Sequence, residues 1–353
     1  MLSELRRTGE MLLPAIAYGD AAGVPVETKS YNYIADRYGS IDRLIPTTDN
    51  LYFKGDWPEG KTSDDTAMSI DIFKALLESN SFDLPAIARN HIETFGNTPE
   101  VTITKNGIKK VKKLGYGSST SNSLERIMAG TSPYESGEVG GNGNGVIMKM
   151  SALVLWQYAQ RLPDAKRHEQ YDQLTTMTHD SDVARITTRV HGDVLHDLLT
   201  NDYDEQRFGR FANSRAIYHE REFGLANRDT SRGLEFLKDH RHLRIVDVEK
   251  KYAHKAVGVT DKEFGRSYGF YVPETLAISY AAFELGGGDY ANTVYTAVNL
   301  GGDADSTASI AGAMVNFRNK GEITFPEDVA KVQDIQDLRK LSHKFGAYLV
   351  DIY

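Results

Sequence analysis

The sequence predicts a mainly α-helical fold. Apolar residues recur at helical spacing along most of the chain, and few stretches alternate with the period of two that a half-buried strand needs. The first clear helix follows Ala67, where Met68, Phe73, Leu76 and Leu77 fall close to one face. Ser151 to Gln160 is apolar enough to be a buried helix, and Thr275 to Leu285 reads as another. Asn292 to Leu300 and Ser306 to Phe317 form a helix pair around the turn Gly301-Gly302. Val101 to Thr104 is the best strand candidate, inside a Lys-, Gly- and Thr-rich stretch from Gly96 to Gly117 that reads as containing a loop. No long Pro/Ser linker divides the chain and no internal repeat is visible. The 353 residues read as one domain, 1–353, with a charged insertion at about 201–261 that carries little periodicity.

Composition narrows the function classes. The chain has no cysteine, so disulfides and thiolate metal sites are excluded, and any metal must be held by oxygen or imidazole. Absence of cysteine fits a cytoplasmic protein. The apolar stretch Met11 to Tyr18, interrupted by Pro14, is too short to span a bilayer and is not read as a cleaved signal. A formal net charge of -8 argues against general nucleic-acid binding.

Two acidic clusters carry the strongest chemical signal. Ser63-Asp64-Asp65-Thr66 stands just before a helical pattern, and Gly301-Gly302-Asp303-Ala304-Asp305-Ser306 repeats the theme after a glycine turn. One Asp can cap a helix; a second carboxylate beside it costs repulsion unless something neutralises it. Clustered carboxylates and hydroxyls suit Mg²⁺, Mn²⁺ or Ca²⁺. On spacing alone the clusters read equally well as two capped helices with spare surface Asp. Gly140-Gly141-Asn142-Gly143-Asn144-Gly145 precedes an apolar run; its backbone N–H groups either cradle a phosphate or form a plain turn. Glu27, in the small-residue segment Gly19 to Glu27, is a ligand, a base or a solvated side chain. His179 says little by itself. Lys105, Lys109, Lys110, Lys112 and Lys113 read as a solvated face or as an anion attractor.

Taken in order, these segments resemble the ADP-ribosylglycohydrolase family, which includes the dinitrogenase-reductase-activating glycohydrolases. The resemblance covers most of the chain. It runs through the Gly19-Asp20 to Glu27 opening, Ser63 to Thr66, Gly117-Ser118-Ser119-Thr120, Gly141 to Gly145, Thr178-His179, Tyr271 to Leu276, and Asn299 to Gly312. The last segment is the most specific.

The resemblance implies a compact all-α, multi-helix fold with a dinuclear centre of two Mg²⁺ or Mn²⁺. Its implied metal ligands are Ser63, Asp64, Asp65, Asp303, Asp305 and Ser306, and its implied catalytic groups are Glu27, Asp65 and Asp303. Gly117, Ser118, Gly141, Asn142, Gly143, Asn144, Gly145 and His179 are expected to bind the ADP-ribose part of the substrate. The implied activity is hydrolysis of the N- or O-glycosidic bond between ADP-ribose and an acceptor, with an ADP-ribosylated protein or small molecule as partner. A dinuclear metal phosphoesterase on a nucleotide, or a non-catalytic ADP-ribose-binding relative, are the alternatives. The chain departs from the family pattern at Ser63 and Ser306, where Thr is common, at Asn316-Phe317-Arg318-Asn319, and in the length of the segment between His179 and Thr275.

Overall fold

In a computed structural model the described residues are 1–48, 50, 57–105, 108–242, 244, 248, 260–261, 265–266 and 268–353. They form 14 α-helices and few strands. The helices are α1 (Leu2–Gly23), α2 (Tyr31–Tyr38), α3 (Asp64–Ser79), α4 (Leu84–Asn97), α5 (Ser118–Met128), α6 (Ser151–Ala159) and α7 (Asp164–Thr176). They continue with α8 (Asp182–Thr200), α9 (Glu205–Glu222), α10 (Asp229–Leu234), α11 (Val272–Leu285), α12 (Tyr290–Leu300), α13 (Ala304–Arg318) and α14 (Ile335–Ile352). No helix among the described residues is long and apolar enough to cross a membrane.

Helix α1 is the axis of the fold. It is buried without interruption from Leu12 to Gly23, as expected of a helix that is apolar or small all round. It packs mainly against α13 and α14. The approach to α13 is close because Gly19 has no side chain: a Cβ there would lie 2.5 Å from the Ala308 carbonyl oxygen. One apolar cluster extends from Leu5 on α1 to Leu349 on α14 and takes in α3, α6, α8, α11, α12 and α13.

The described residues of the Gly96 to Gly117 stretch include two paired strands. Strands β1 (Glu100–Lys105) and β2 (Ile108–Lys113) form an antiparallel hairpin, with Val101 opposite Lys112. The Val101 to Thr104 strand expectation falls within β1. Two further short strands, β3 (Glu138–Val139) and β4 (His179–Asp180), pair in parallel and bring the glycine-rich loop beside His179.

Within 201–261, α9 and α10 lie against α8, and α10 also against α11. Phe208, Ala212, Ala216, Leu234 and Leu237 join the main core cluster. Glu220 is buried and accepts the Ser231 N–H at 2.8 Å. Most of this segment beyond residue 242 lies outside the described residues.

Candidate functional site

The two acidic clusters meet because two helix N-termini converge. Ser63 caps α3, its hydroxyl accepting the Asp65 N–H at 3.3 Å, so neither Asp64 nor Asp65 is used as the cap. At the other helix Asp303 occupies the cap position of α13 but makes no capping bond. Ser63 does the capping at α3 and Asp303 makes no capping bond at α13, which disfavours the reading of these acids as helix caps. Both helix dipoles favour negative charge there.

Glycines make the convergence possible. Gly301 and Gly302 have φ of 74° and 72°, in the left-handed region that favours glycine. The Gly302 N–H donates to the Lys29 carbonyl at 2.7 Å, and its carbonyl accepts the Thr28 N–H at 2.6 Å. This clasp seats Asp303 and Asp305 next to Glu27. One carboxylate oxygen from each of these three lies within 4.8 Å of the others.

Hydrogen bonds orient the group. Asp65 Oδ2 accepts from Ser306 Oγ at 3.1 Å and from Ser63 Oγ at 3.3 Å. Asn144 Nδ2 donates to Asp303 Oδ2 at 2.6 Å, and Asn50 Nδ2 donates to Glu27 Oε2 at 3.1 Å. The buried Asp20 carboxylate accepts the Ser63 N–H at 2.9 Å and the Thr66 N–H at 3.1 Å, and so fixes the start of α3. Asp65 Oδ1 and Asp305 Oδ1 are buried with no hydrogen-bond partner.

Burial, and then the neighbouring charge of Asp305, hold Glu27, Asp64, Asp65 and Asp303 well above the usual carboxylate range. The same two causes push Asp20 up to about 7. Burial also raises Asp305. Such crowding calls for positive charge. Two orphaned carboxylate oxygens and an all-oxygen donor set fit a hard divalent cation.

The acids form one wall of a cavity of about 270 Å³. Glu27, Asp64, Asp65, Asp303, Asp305 and Ser306 line it together with Gly117, Ser118, Asn142, Gly143, Asn144, Gly145 and His179. Two of the residues expected from sequence do not line it. The Ser63 hydroxyl is taken up by Asp65, donating to its Oδ2 at 3.3 Å, and Gly141 belongs to a turn in which its carbonyl accepts Ser181 Oγ at 2.6 Å. Burial, then the charge of Lys149, push His179 down to about 3, so the ring is neutral near pH 7. Its Nδ1 lies 2.9 Å from Thr178 Oγ1.

Sequence reasoning missed Asp20 and Asn50 as supports, and Tyr116, Met148 and Phe270 as cavity walls. For Asp20 a signal was present: an acid directly after Gly19 and before Ala21-Ala22-Gly23 has only small neighbours, as a buried acid needs.

A second cluster, His168, Asp193 and His219, also has ligand atoms within 4.8 Å of one another. None of the three lines the cavity. Asp193 there accepts from Arg215 Nε at 2.8 Å. A guanidinium on the carboxylate opposes a metal and makes this a polar anchor between α7, α8 and α9.

A model of the ADP-ribosylglycohydrolase family matches residues 7–350. Among solved structures 47 chains match. One, described as an "ADP-ribosylglycohydrolase-related protein complex", is similar with a TM-score of 0.62 at 20% identity, over 98% of this chain and 98% of that chain. At that identity the likeness speaks for the fold. No curated protein matches the sequence.

Proposed function

The chain belongs to the ADP-ribosylglycohydrolase family, and on that premise we propose that it hydrolyses the N- or O-glycosidic bond between ADP-ribose and an acceptor with the help of two Mg²⁺ or Mn²⁺ ions. The observation that carries this reading is the meeting of both acidic clusters with the glycine-rich loop and His179 around one cavity. Asp64, Asp65, Asp303, Asp305 and Ser306 would hold the cations, with Ser63, which does not line the cavity, holding Asp65 in place. When bound, the ions supply positive charge that lowers the pKa of a water molecule and polarises the ribose hydroxyls.

The remaining steps belong to the chain. Glu27, or Asp65 or Asp303, takes the proton from the attacking water. The clustered carboxylates favour the positive charge that builds on the ribose as the bond to the acceptor breaks. The departing acceptor takes up one proton, so the hydrolysis is balanced and needs no redox cofactor. Backbone N–H groups of Gly143 to Gly145, and those at the α5 start around Gly117 and Ser118, receive the diphosphate. The neutral His179 ring offers a hydrogen bond to the ribose. We take the chain as a single domain acting in the cytoplasm, with the 201–261 segment bearing on acceptor choice.

The test is to incubate the protein with Mg²⁺ or Mn²⁺ and a panel of ADP-ribosylated acceptors, and to identify the products by mass. Release of intact ADP-ribose is expected. Release of AMP or phosphate would replace the glycohydrolase by a phosphoesterase, and binding without turnover would make the chain an ADP-ribose-binding protein.

A further inference from the structure

The cavity is lined by the carboxylates of Glu27, Asp64, Asp65, Asp303 and Asp305, yet a diphosphate brings negative charge of its own. Among the described residues that line the cavity, the cationic side chains are Lys112 and Lys113, neighbours on β2. The side chains of Lys105, Lys109 and Lys110 lie outside the described residues. Lys113 is committed to the backbone that leads into the hairpin. Its Nζ donates to the Thr98 carbonyl at 3.0 Å and the Gly96 carbonyl at 3.3 Å, and lies 3.4 Å from Glu100.

Lys112 reaches α5 instead. It is half-buried, and its Nζ donates to Ser118 Oγ at 3.2 Å, at the first residue of that helix. The glycine-rich loop arrives at the same place. A Cβ on Gly145 would lie 2.8 Å from Thr120 Oγ1, and one on Gly141 would lie 3.2 Å from Ser119 Oγ. No side chain caps α5, so its first N–H groups have no acceptor within the helix. Lys112 and Ser118 also line a second groove of about 500 Å³, between the hairpin and α5, which thus adjoins the cavity. The ammonium stands where the two meet, beside both sets of backbone N–H groups.

We propose that Lys112 is a substrate-binding residue, the side chain that recognises the diphosphate of the substrate by charge. The inference rests on the reading that the cavity takes ADP-ribose. Backbone N–H groups give a diphosphate direction and partial charge; a whole positive charge makes the hydrogen bond to a phosphate oxygen about twice as strong. Lysine meets phosphate as a point charge, so the contact needs no fixed fork geometry. An ammonium also has three N–H donors, so Lys112 keeps Ser118 while it meets a phosphate oxygen.

The experiment is calorimetric titration of the full-length protein with ADP-ribose, in Mg²⁺, at low and at high salt. The parent is compared with Lys112→Met, Lys112→Gln and Lys112→Arg, and with Lys340→Met, which removes the same charge from the exposed side of α14. Both neutral Lys112 variants should bind about tenfold more weakly at low salt, as expected for loss of a hydrogen bond to a charged group. Their affinity should also depend less on salt than the parent's, because the contact that salt screens is gone. Lys112→Arg and Lys340→Met should stay within about threefold of the parent. If the parent does not bind ADP-ribose, the reading of the cavity is wrong and this inference goes with it. If the parent binds and the neutral Lys112 variants bind equally well, only the role of Lys112 is overturned. An equal loss in Lys340→Met would trace the effect to net charge, and an equal loss in Lys112→Arg would trace it to the shape of the wall; either result defeats the proposal. Should both neutral variants fail to fold while Lys112→Arg folds, Lys112 is a folding residue and the proposal is likewise lost.

Discussion

The Ser306 hydroxyl donates to Asp65 Oδ2 at 3.1 Å, across a sequence separation of 241 residues. It ties the start of α13 to the start of α3. Because Ser63 Oγ holds the same oxygen, Asp65 is fixed with its other oxygen buried and unpartnered. Ser306→Ala should therefore lower Mn²⁺ affinity or turnover by about 10- to 100-fold, the usual cost of losing a ligand's support, with little change in melting temperature. Asp305→Asn should abolish turnover in a protein that still folds. Titration, turnover and circular dichroism check both; full activity in Asp305→Asn would remove that residue from the site.

The crowded carboxylates also predict how the metal-free protein responds to pH. Their folded pKa values are raised above the unfolded ones, so their contribution to stability is fully present below pH of about 4 and is lost as pH rises through the folded values. For Asp20 the upper end of that window is about 7. In chelator the melting temperature should fall between about pH 5 and about pH 8, and added Mn²⁺ should flatten the fall. Scanning calorimetry with and without Mn²⁺ measures it. A flat profile in chelator would show that the carboxylates are relieved by some other charge.

How much of this was legible depended on distance along the chain. The two Asp pairs could be read because each is contiguous and opens a helix. Their helices, α3 and α13, start at Asp64 and Ala304, close to the positions that apolar spacing indicated. The small neighbours of Asp20 signal burial, but its partners could not be read, because the backbone groups it accepts from lie 43 and 46 residues away. Asn144 lines the cavity as expected, and its Nδ2 also donates to Asp303, a link that spacing does not reveal because it does not say which way an amide in a glycine loop turns. Strand β2 was masked by its lysines, which hide the alternation that Val101 and its neighbours keep on β1. In the 201–261 segment, which reads as a charged insertion with little periodicity, Arg215 and His219 turn inward to Asp193, a pairing across the chain that composition does not show.

Gly143 tests the loop. A Cβ there would lie 3.2 Å from His179 Nε2, tight enough that the ring must give way. The residue also bridges to Tyr271. Gly143→Val should weaken binding of free ADP-ribose by about tenfold or more, because the branched side chain blocks close approach of a phosphate to backbone N–H groups. Equal affinity in variant and parent would count against a phosphate loop.

Tyr271 links the cavity wall to the 201–261 segment. Its hydroxyl donates to Asp229 Oδ2 on α10 at 2.7 Å, and it follows Phe270, which lines the cavity. Deleting the whole segment would strip Phe208 and Leu234 from the core, so a single atom is the better probe. Tyr271→Phe should change KM for an ADP-ribosylated protein about fivefold, the worth of roughly one hydrogen bond, and leave hydrolysis of a small ADP-ribosylated compound within about twofold. Parallel loss on both substrates would place Tyr271 in the general support of the cavity.

Asp193 should respond to pH in the opposite sense. Burial alone would raise its pKa, but hydrogen bonds from His168 at 2.8 Å and His219 at 2.7 Å hold it well below the usual range. A depressed carboxylate stabilises the fold above its unfolded pKa, and that stability is lost as pH falls through the region below about 4. Acid therefore attacks the junction of α7, α8 and α9, whereas in the metal-free protein a rise in pH attacks the cavity. Asp193→Ala leaves Arg215, His168 and His219 facing a void where the charge was. Removing one partner from a buried ionic group costs about 3–5 kcal/mol, so the urea midpoint at pH 7 should drop sharply. The more specific expectation is that Asp193→Ala loses stability less steeply than the parent on going from about pH 5 to about pH 3, because the group that must be protonated is gone. If parent and variant fall in parallel over that range, Asp193 is not the residue that sets acid stability, and the three-helix anchor owes its hold to packing.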